Sequence, residues 1–210
     1  RVGDGDTGPN TGGMGAYSPL PGLDEATESR VWDIVAATVD ALRTDGVAYA
    51  GLLYTGLMLT ADGPKVLEYN CRFGDPETQV VIPRLRSDLA EVLVACASDR
   101  LADVKVDLSD DAAVTVVLAS GGYPGSYGTG HPIDGLEAAA AAPDAAVFHS
   151  GSAERDGRVV TAGGRVLAVT GWGPTVGGAR RRAYDAASHI SFDGTIRRSD
   201  IAARAAEEAS

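Results

Sequence analysis

Apolar and polar side chains recur with a helical period near the start of the chain. One stripe of less polar side chains recurs at helical spacing and is formed by Val31, Ile34, Val35, Thr38 and Leu42. The stripe predicts a helix over residues 25–43, and Gly46 is the signal that ends it.

The next apolar segments have the length and spacing of strands. Residues 51–60 are apolar on both faces, which is typical of a central strand. Residues 61–64 form a turn sequence, and 65–70 predict the return strand of an antiparallel hairpin. Two further helical patterns follow, at 78–85 and 88–98.

A second unit is expected to begin near Ser109, which divides the chain into 1–108 and 109–210. The patterns beyond that point predict strands at 112–120, 145–149, 158–161 and 165–170, a helix at 175–188 and a short amphipathic helix at 200–208. Because strands and helices are mixed without strict alternation, the sequence predicts an α+β fold rather than a doubly wound sheet.

Composition and charge exclude several classes of protein. The formal net charge of −11 leaves no electrostatic footprint for nucleic acid or for an anionic membrane. No apolar run approaches the roughly 20 residues that span a bilayer. Cys71 and Cys96 have neither disulfide nor zinc spacing, which favours a reducing cytoplasm.

The strand at 65–70 carries the clearest candidate chemistry. Side chains alternate along a strand, so Glu68, Asn70 and, if the strand persists, Arg72 share one face, while Cys71 points away from it. A carboxylate and an amide oxygen at this spacing can bind one Mg²⁺ together with phosphate oxygens and water. Arg72 adds a planar cation for a phosphoryl group or a carboxylate. From spacing alone, an alternative remains in which Glu68 and Arg72 form an ordinary surface pair and Asn70 ends the strand.

The chain opens in a glycine-rich loop, residues 1–22, with Arg rather than Met at residue 1. Because a protein rarely begins inside a functional loop, we expect a fragment whose N-terminal portion is absent. Glycines allow the backbone to approach a ligand closely, and Asp6, Thr7, Asn10 and Thr11 offer hydrogen-bonding groups. The loop therefore suits an anion or a polyol.

A flexible surface loop is the alternative interpretation of residues 1–22. Met14, Tyr17 and Leu20 argue against it because they would anchor the loop to a core. A second glycine-rich loop, 121–130, carries two tyrosines and could line a substrate site or merely connect two strands. The three histidines have no metal-ligand spacing, and Arg180, Arg181 and Arg182 are expected on the solvated face of their helix.

Long motifs resemble the phosphoribosylamine–glycine ligase family of the ATP-grasp superfamily, also called glycinamide ribonucleotide synthetases. The segments that carry the resemblance are 1–19 (RVGDGDTGPNTGGMGAYSP), 51–58 (GLLYTGLM), 67–79 (LEYNCRFGDPETQ), 119–125 (ASGGYPG) and 161–167 (TAGGRVL). The resemblance implies that 1–108 is the later part of an ATP-grasp domain and that 109–210 is the C-terminal domain of the ligase.

The resemblance also implies a reaction, ligands and partners. Glycine, ATP and 5-phosphoribosylamine would give glycinamide ribonucleotide, ADP and phosphate through a glycyl phosphate, in de novo purine synthesis. Glu68 and Asn70 would hold Mg²⁺ or Mn²⁺, Arg72 would be catalytic, and the substrates would meet Asp6, Thr7, Asn10, Thr11 and Asp75. A cytoplasmic monomer is expected, inactive without the N-terminal portion of the enzyme.

Two other functions fit the same residues. The chain could be a non-catalytic binding or assembly module with this fold, or part of another ATP-grasp ligase of purine synthesis. The second would not be expected to share the Gly-Pro-Asn-Thr-Gly-Gly-Met-Gly loop at 8–15. The segment 192–201 follows the family pattern only loosely, which leaves the role of the C-terminal domain open.

Overall fold

A computed structural model describes residues 1–208, and the chain in it divides into two compact units. The larger unit contains Arg1–Pro21, Asp75–Arg84 and the chain from Ser109 onward, whereas the smaller contains Gly22–Gly74 and Leu85–Leu108. Both units are assembled from separate stretches of chain. The division into functional domains at 108/109 stays a prediction.

Helices and strands are mixed, as the α+β prediction requires. The helices are α1 (Glu25–Thr44), α2 (Thr78–Val81), α3 (Leu89–Ala97), α4 (Leu136–Ala140), α5 (Val176–Ser188) and α6 (Ala203–Glu208). The strands are β1 (Gly15–Ser18), β2 (Tyr54–Thr60), β3 (Gly63–Asn70), β4 (Ala112–Ala119), β5 (Ala145–His149), β6 (Ser152–Arg155), β7 (Arg158–Thr161) and β8 (Arg165–Gly173). Among these helices, none is long and apolar enough to cross a membrane.

The larger unit is built on a four-stranded sheet in the order β1-β4-β8-β5, and every neighbouring pair is antiparallel. All residues of β4 are buried, because β4 lies between two strands and both of its faces are covered. Val114, Val116 and Leu118 pack with alanines of α5, whereas Val117 and Ala119 pack with Met14 on a separate cluster. This arrangement confirms the predicted α+β class over a doubly wound sheet.

Side-chain caps begin the helices α1, α3 and α5. Asp24 accepts a hydrogen bond from the Thr27 backbone N–H at 2.8 Å, Asp88 caps α3 and Thr175 caps α5 in the same way. The stripe predicted for α1 is confirmed, since its five residues are partly buried on a helix whose neighbouring positions are mostly exposed. No residue of α1 is fully buried.

The predicted hairpin of the smaller unit is confirmed as β2 and β3, but β2 is not a central strand. Its sheet has only two strands, and the side chains of Met58 and Leu59 are 52% and 48% exposed. A strand that is apolar on both faces can be buried on both faces, which is why the sequence suggests a central position. Within residues 1–208, however, no third strand pairs with β2 and β3.

Several short elements lay outside the sequence prediction. Strand β1 lies inside the glycine-rich opening, where a Cβ at Gly15 would lie 2.6 Å from the Thr115 carbonyl oxygen. Close backbone approach, rather than the packing of alternate side chains, allows β1 to pair with β4. The sequence therefore shows no apolar alternation at β1. Strand β6 and helix α4, at four and five residues, are too short to show a period.

Two smaller expectations were wrong. Leu20 does not anchor the opening loop, since it is 49% exposed, although Met14 is buried and Tyr17 packs on a core cluster. The basic run on α5 is not a solvated face, since only Arg181 is exposed. Arg180 donates to the Ile201 and Ser199 carbonyls, and Arg182 donates to the Trp172 carbonyl, because successive helical residues point to different flanks.

Candidate functional site

The candidate metal ligands lie at the end of β3 in the smaller unit. The Asn70 side-chain nitrogen donates a hydrogen bond to the Glu68 Oε1 atom at 3.1 Å. The two side chains therefore share one face of the strand, as the alternation predicted. The register between β2 and β3 shifts next to them, where Gly56 pairs with Glu68 but Leu57 pairs with Val66. Such an irregularity re-aims side chains at the end of a strand.

This pair has the chemistry of a small hard-cation site. Glu68 is exposed and brings one charge, and the Asn70 side-chain oxygen adds a neutral ligand. Among residues 1–208 no group of three or more His, Cys, Asp or Glu side chains could hold a metal ion by itself. A cation at Glu68 and Asn70 would therefore need further oxygens from phosphate and water, which is the way Mg²⁺ is usually bound.

Arg72 stands beside this pair in sequence but is not ion-paired with Glu68. Its Nη1 atom donates to the Phe73 carbonyl oxygen at 2.8 Å, and the residue is exposed. The alternative of an ordinary Glu68–Arg72 surface pair is thus not what the structure contains. The strand does end at Asn70, as that alternative held, so Arg72 lies beyond β3. Cys71, between Asn70 and Arg72, is a free and exposed thiol.

The opening loop of the larger unit is ordered by its own backbone. The Gly3 and Thr7 backbones exchange two N–H···O bonds, of 3.1 and 3.3 Å, around a single turn of 3₁₀ helix at Asp4–Asp6. The Thr7 hydroxyl donates to the Asp4 carbonyl at 2.8 Å. Gly5 and Asp6 both have positive φ, of 62° and 57°, so the turn is tight. The alternative of a flexible surface loop therefore does not describe residues 3–7.

Residues near the C-terminus hold this turn in place. The Ser199 backbone N–H donates to Asp4 Oδ1 at 2.7 Å, and the Gly5 N–H donates to Asp200 Oδ2 at 2.8 Å. Arg198 reaches Asp6 Oδ1 at 2.8 Å and leaves the Asp6 side chain 79% exposed. The segment that follows the family pattern only loosely is thus bound to the opening loop.

The centre of this network is a bidentate ion pair. Arg198 Nε and Nη2 donate to the two carboxylate oxygens of Asp200, each at 2.7 Å, and the Arg198 side chain is only 12% exposed. The hydrogen bonds from Arg198 hold the pKa of Asp200 well below its usual range. The hydrogen bonds to Asp200 and Asp6 likewise raise the pKa of Arg198, against the opposing effect of burial.

The other predicted substrate residues of this unit differ in how they are engaged. The Thr11 hydroxyl accepts a 3.1 Å hydrogen bond from the Gly13 N–H, whereas the exposed Asn10 side chain makes none to residues 1–208. Asp75 accepts from Gln79 Nε2 at 2.9 Å with one carboxylate oxygen and from Arg165 Nη2 at 3.1 Å with the other. Asn10 is thus the side chain in this group that is most available to a ligand.

Sequence reasoning missed Arg165, Arg198 and Asp200, whose contacts are with residues far away in the chain. Each forms a contact with a residue far away in the chain, and no local spacing pattern in a single sequence indicates such a contact. The tyrosine-bearing loop 121–130, which the sequence does single out, contacts the opening loop, where the Tyr123 hydroxyl accepts a 3.3 Å hydrogen bond from the Gly12 N–H. Tyr127 lies beside Tyr123 with the ring centroids 6.4 Å apart.

Comparison with known proteins gives consistent family matches. Residues 1–78 match the sequence model described as the phosphoribosylglycinamide synthetase ATP-grasp (A) domain, and residues 113–204 match that of the C domain. The chain is 52% identical to the phosphoribosylamine–glycine ligase of Streptomyces coelicolor over 98% of its own length and 50% of the relative. For the Agrobacterium fabrum ligase the identity is 49%, over 96% of this chain and 47% of the relative.

Solved structures agree. The crystal structure of a phosphoribosylamine–glycine ligase from Thermotoga maritima superimposes with a TM-score of 0.80 and 39% identity, over 96% of this chain and 49% of that one. A N5-carboxyaminoimidazole ribonucleotide synthetase from the same organism shares the fold, with a TM-score of 0.59 at 17% identity, over 85% of this chain and 45% of that one. The chain spans about half the length of the curated ligases described above.

Proposed function

Because this chain belongs to the phosphoribosylglycinamide synthetase family, we propose that it supplies part of the active site of an ATP-dependent ligase that joins glycine to 5-phosphoribosylamine. The products would be glycinamide ribonucleotide, ADP and phosphate, formed through a glycyl phosphate in de novo purine synthesis. The observation that carries the proposal is the 52% identity to a phosphoribosylamine–glycine ligase across 98% of this chain.

The metal part of the proposal rests on Glu68 and Asn70. Their contact at 3.1 Å shows that both side chains reach one point, and their oxygens are ligands that Mg²⁺ or Mn²⁺ accepts. The cation would neutralise charge on the ATP phosphates. Arg72 would be the catalytic cation, because its guanidinium is exposed and is held by a backbone carbonyl, that of Phe73, rather than by a carboxylate. Phosphoryl transfer needs such positioning and charge neutralisation rather than covalent help from the protein.

The substrate part of the proposal rests on the larger unit. Asp6, Thr7, Asn10, Thr11 and Asp75 are proposed to bind glycine and the amine substrate. Asn10 is exposed, and its amide makes no hydrogen bond within the described part of the chain. Asp6 keeps most of its side chain exposed while Arg198 holds one oxygen. Asp75 has both oxygens engaged, yet a carboxylate has about four lone-pair sites, so an ammonium group can still be accepted there.

ATP would also need contacts from the part of the relatives that this chain does not match. We propose that an N-terminal portion of the full-length protein covers the smaller unit, in a cytoplasmic monomer. The support is the share of the relatives matched, about half, together with large apolar side chains left in solvent. Trp32 on α1 and Leu67 on β3 are 64% and 63% exposed in that unit.

The experiment is turnover of the full-length protein, measured as glycine-dependent ADP release. The Glu68→Ala variant is expected to lose Mg²⁺-dependent turnover by about two orders of magnitude, because the cation loses its charged ligand. Glu154→Ala is the matched control, since Glu154 is an exposed glutamate on β6 and should leave turnover unchanged. The 210-residue chain alone is expected to be inactive.

Two outcomes would contradict the proposal. Unchanged metal dependence in Glu68→Ala, with the fold intact, would show that the cation binds elsewhere. ADP release by the full-length wild type that ignores glycine would point to another ATP-grasp ligase, and no ADP release at all would favour a non-catalytic module.

A further inference from the structure

One guanidinium group in the larger unit joins three distant stretches of chain. Arg165, the first residue of β8, donates through Nη1 to the Gly12 carbonyl at 2.7 Å, to the Gly13 carbonyl at 3.2 Å and to the Asp75 carbonyl at 2.7 Å. Its Nη2 atom lies 3.1 Å from Asp75 Oδ2, and the side chain is 20% exposed. Within the larger unit, this side chain therefore ties the opening loop and Asp75 to the start of β8.

The backbone beside Arg165 has little room to move. A Cβ at Gly12 would lie 3.2 Å from the Arg165 guanidinium carbon, and a Cβ at Gly13 would lie 2.6 Å from Pro76 Cδ. Gly13 has φ of +111°, a conformation that L side chains rarely adopt. Tyr123 accepts from the Gly12 N–H on the amide side while Arg165 binds the carbonyl side. Both polar groups of Gly12 are therefore fixed by side chains.

The residues held in this way directly follow Asn10 and Thr11. Thr11 is itself tied to Gly13, whose N–H donates to the Thr11 hydroxyl at 3.1 Å. A planar guanidinium can bind several carbonyls and one carboxylate at once, and a lysine ammonium, which is a point charge on a flexible stem, cannot reproduce that geometry. Loss of Arg165 would free Gly12–Gly13 and with them the orientation of the neighbouring polar side chains.

We propose that Arg165 is a positioning residue, which fixes Gly12 and Gly13 against Asp75 and thereby sets Asn10 and Thr11 for the substrates. This proposal rests on the proposed function. It also gives the C-terminal part of the chain a role in the reaction, since Arg165 and Tyr123 both lie beyond residue 109. Arg165 would act through the loop and would not itself touch the reacting atoms.

The test uses Arg165→Lys and Arg165→Gln in the full-length protein. Arg182→Lys and Arg182→Gln are the matched controls, because Arg182, like Arg165, binds backbone and aspartate together, with the Trp172 carbonyl at 2.9 Å and Asp144 at 3.3 Å. Misplacement of a substrate group by about 1 Å can cost roughly 100-fold in rate. We therefore expect kcat/KM for glycine or phosphoribosylamine to fall about 100-fold in both Arg165 variants, with KM for ATP within about twofold of wild type.

The Arg182 variants are expected to lose as much thermal stability as the Arg165 variants but to keep the wild-type kcat/KM. Equal kinetic constants in the Arg165 and Arg182 variants would overturn the proposal, since a merely structural arginine lowers stability alone. A parallel measurement is hydrogen exchange of the peptide that covers residues 8–16. We expect at least about tenfold faster exchange there in Arg165→Gln and no change in Arg182→Gln.

The exchange measurement separates this proposal from the proposed function. If the wild type does not use glycine but exchange over 8–16 accelerates only in Arg165→Gln, the ligase assignment fails and Arg165 still positions the loop. If the wild type is an active ligase and exchange over 8–16 is unchanged in Arg165→Gln, the positioning role is wrong.

Discussion

The Arg198–Asp200 pair allows a quantitative prediction of stability. In Asp200→Asn, the carboxylate that accepts from Arg198 Nε, Arg198 Nη2 and the Gly5 N–H becomes a neutral amide. Its remaining oxygen can keep the two bonds now made by Oδ2, while the amide nitrogen faces the Arg198 Nε–H, donor against donor. One charge-assisted bond is lost, worth about 1.5–3 kcal/mol, and the other two weaken, so we expect a loss of about 2–4 kcal/mol at pH 7.

The sign of the pH dependence follows from the lowered pKa of Asp200. A depressed pKa in the folded state adds stability that is fully present above the unfolded pKa, about 3.9, and disappears as the pH falls through the folded value. The difference in the free energy of unfolding between wild type and Asp200→Asn should therefore become smaller as the pH falls. Each pH unit below about 3.9 removes about 1.4 kcal/mol, so the difference should be about 1 kcal/mol smaller at pH 3 than at pH 7.

The assay is urea unfolding in a Trp32→Phe background, where Trp172 on β8 is the remaining tryptophan and reports on the larger unit. Asp134→Asn is the control, because Asp134 also pairs with an arginine, Arg158 at 3.0 Å, but both side chains are more than half exposed. The control should lose less than about 1 kcal/mol. The reasoning would be refuted if Asp200→Asn lost no more unfolding free energy than Asp134→Asn, or if its loss became larger as the pH fell.

Two further variants test the site and the loop. Cys71→Ser in the full-length protein should keep most ligase turnover, since the thiol is exposed and strand alternation predicts that it faces away from Glu68. Complete loss of turnover with intact folding would mean that the strand face is wrongly assigned. Gly13→Ala should lower the free energy of unfolding in urea by about 2–4 kcal/mol, because Gly13 has a positive φ and its added Cβ would lie 2.6 Å from Pro76. The control Gly157→Ala should lower it by only about 1 kcal/mol, because Gly157 has φ of +72° but open space for a Cβ. Equal losses would show that Pro76 yields.

The elements that sequence predicted well are those whose pattern is local. The α1 stripe, the β2–β3 hairpin and the buried run of β4 each show their period within a single window, and each is where the pattern indicates. The face shared by Glu68 and Asn70 follows from alternation over two residues. By contrast, β1 forms because Gly15 permits close approach to β4, a contact about 100 residues away in sequence that no window contains.

The contacts that organise the opening loop could not have been predicted from sequence either. Arg165 and Arg198 lie in a strand end and a coil whose local patterns look ordinary, and their importance comes from carbonyls and carboxylates near residue 1. The exposure of β2 was misjudged for a related reason. Apolar residues on both faces report what a strand can bury and not which segment covers it.

The central claim is that the full-length protein activates the glycine carboxylate with ATP before the amine attacks. A glycine carboxylate oxygen would attack the γ-phosphorus, and ADP would leave with the electron pair of the broken P–O bond. The amine would then attack the carbonyl carbon and lose one proton, and phosphate would leave with that glycine oxygen and the electron pair of its C–O bond. Glycine labelled with ¹⁸O in its carboxylate is the direct test, with phosphate and glycinamide ribonucleotide analysed by mass spectrometry. The account predicts one ¹⁸O atom in each phosphate released, and unlabelled phosphate accompanying product would contradict it.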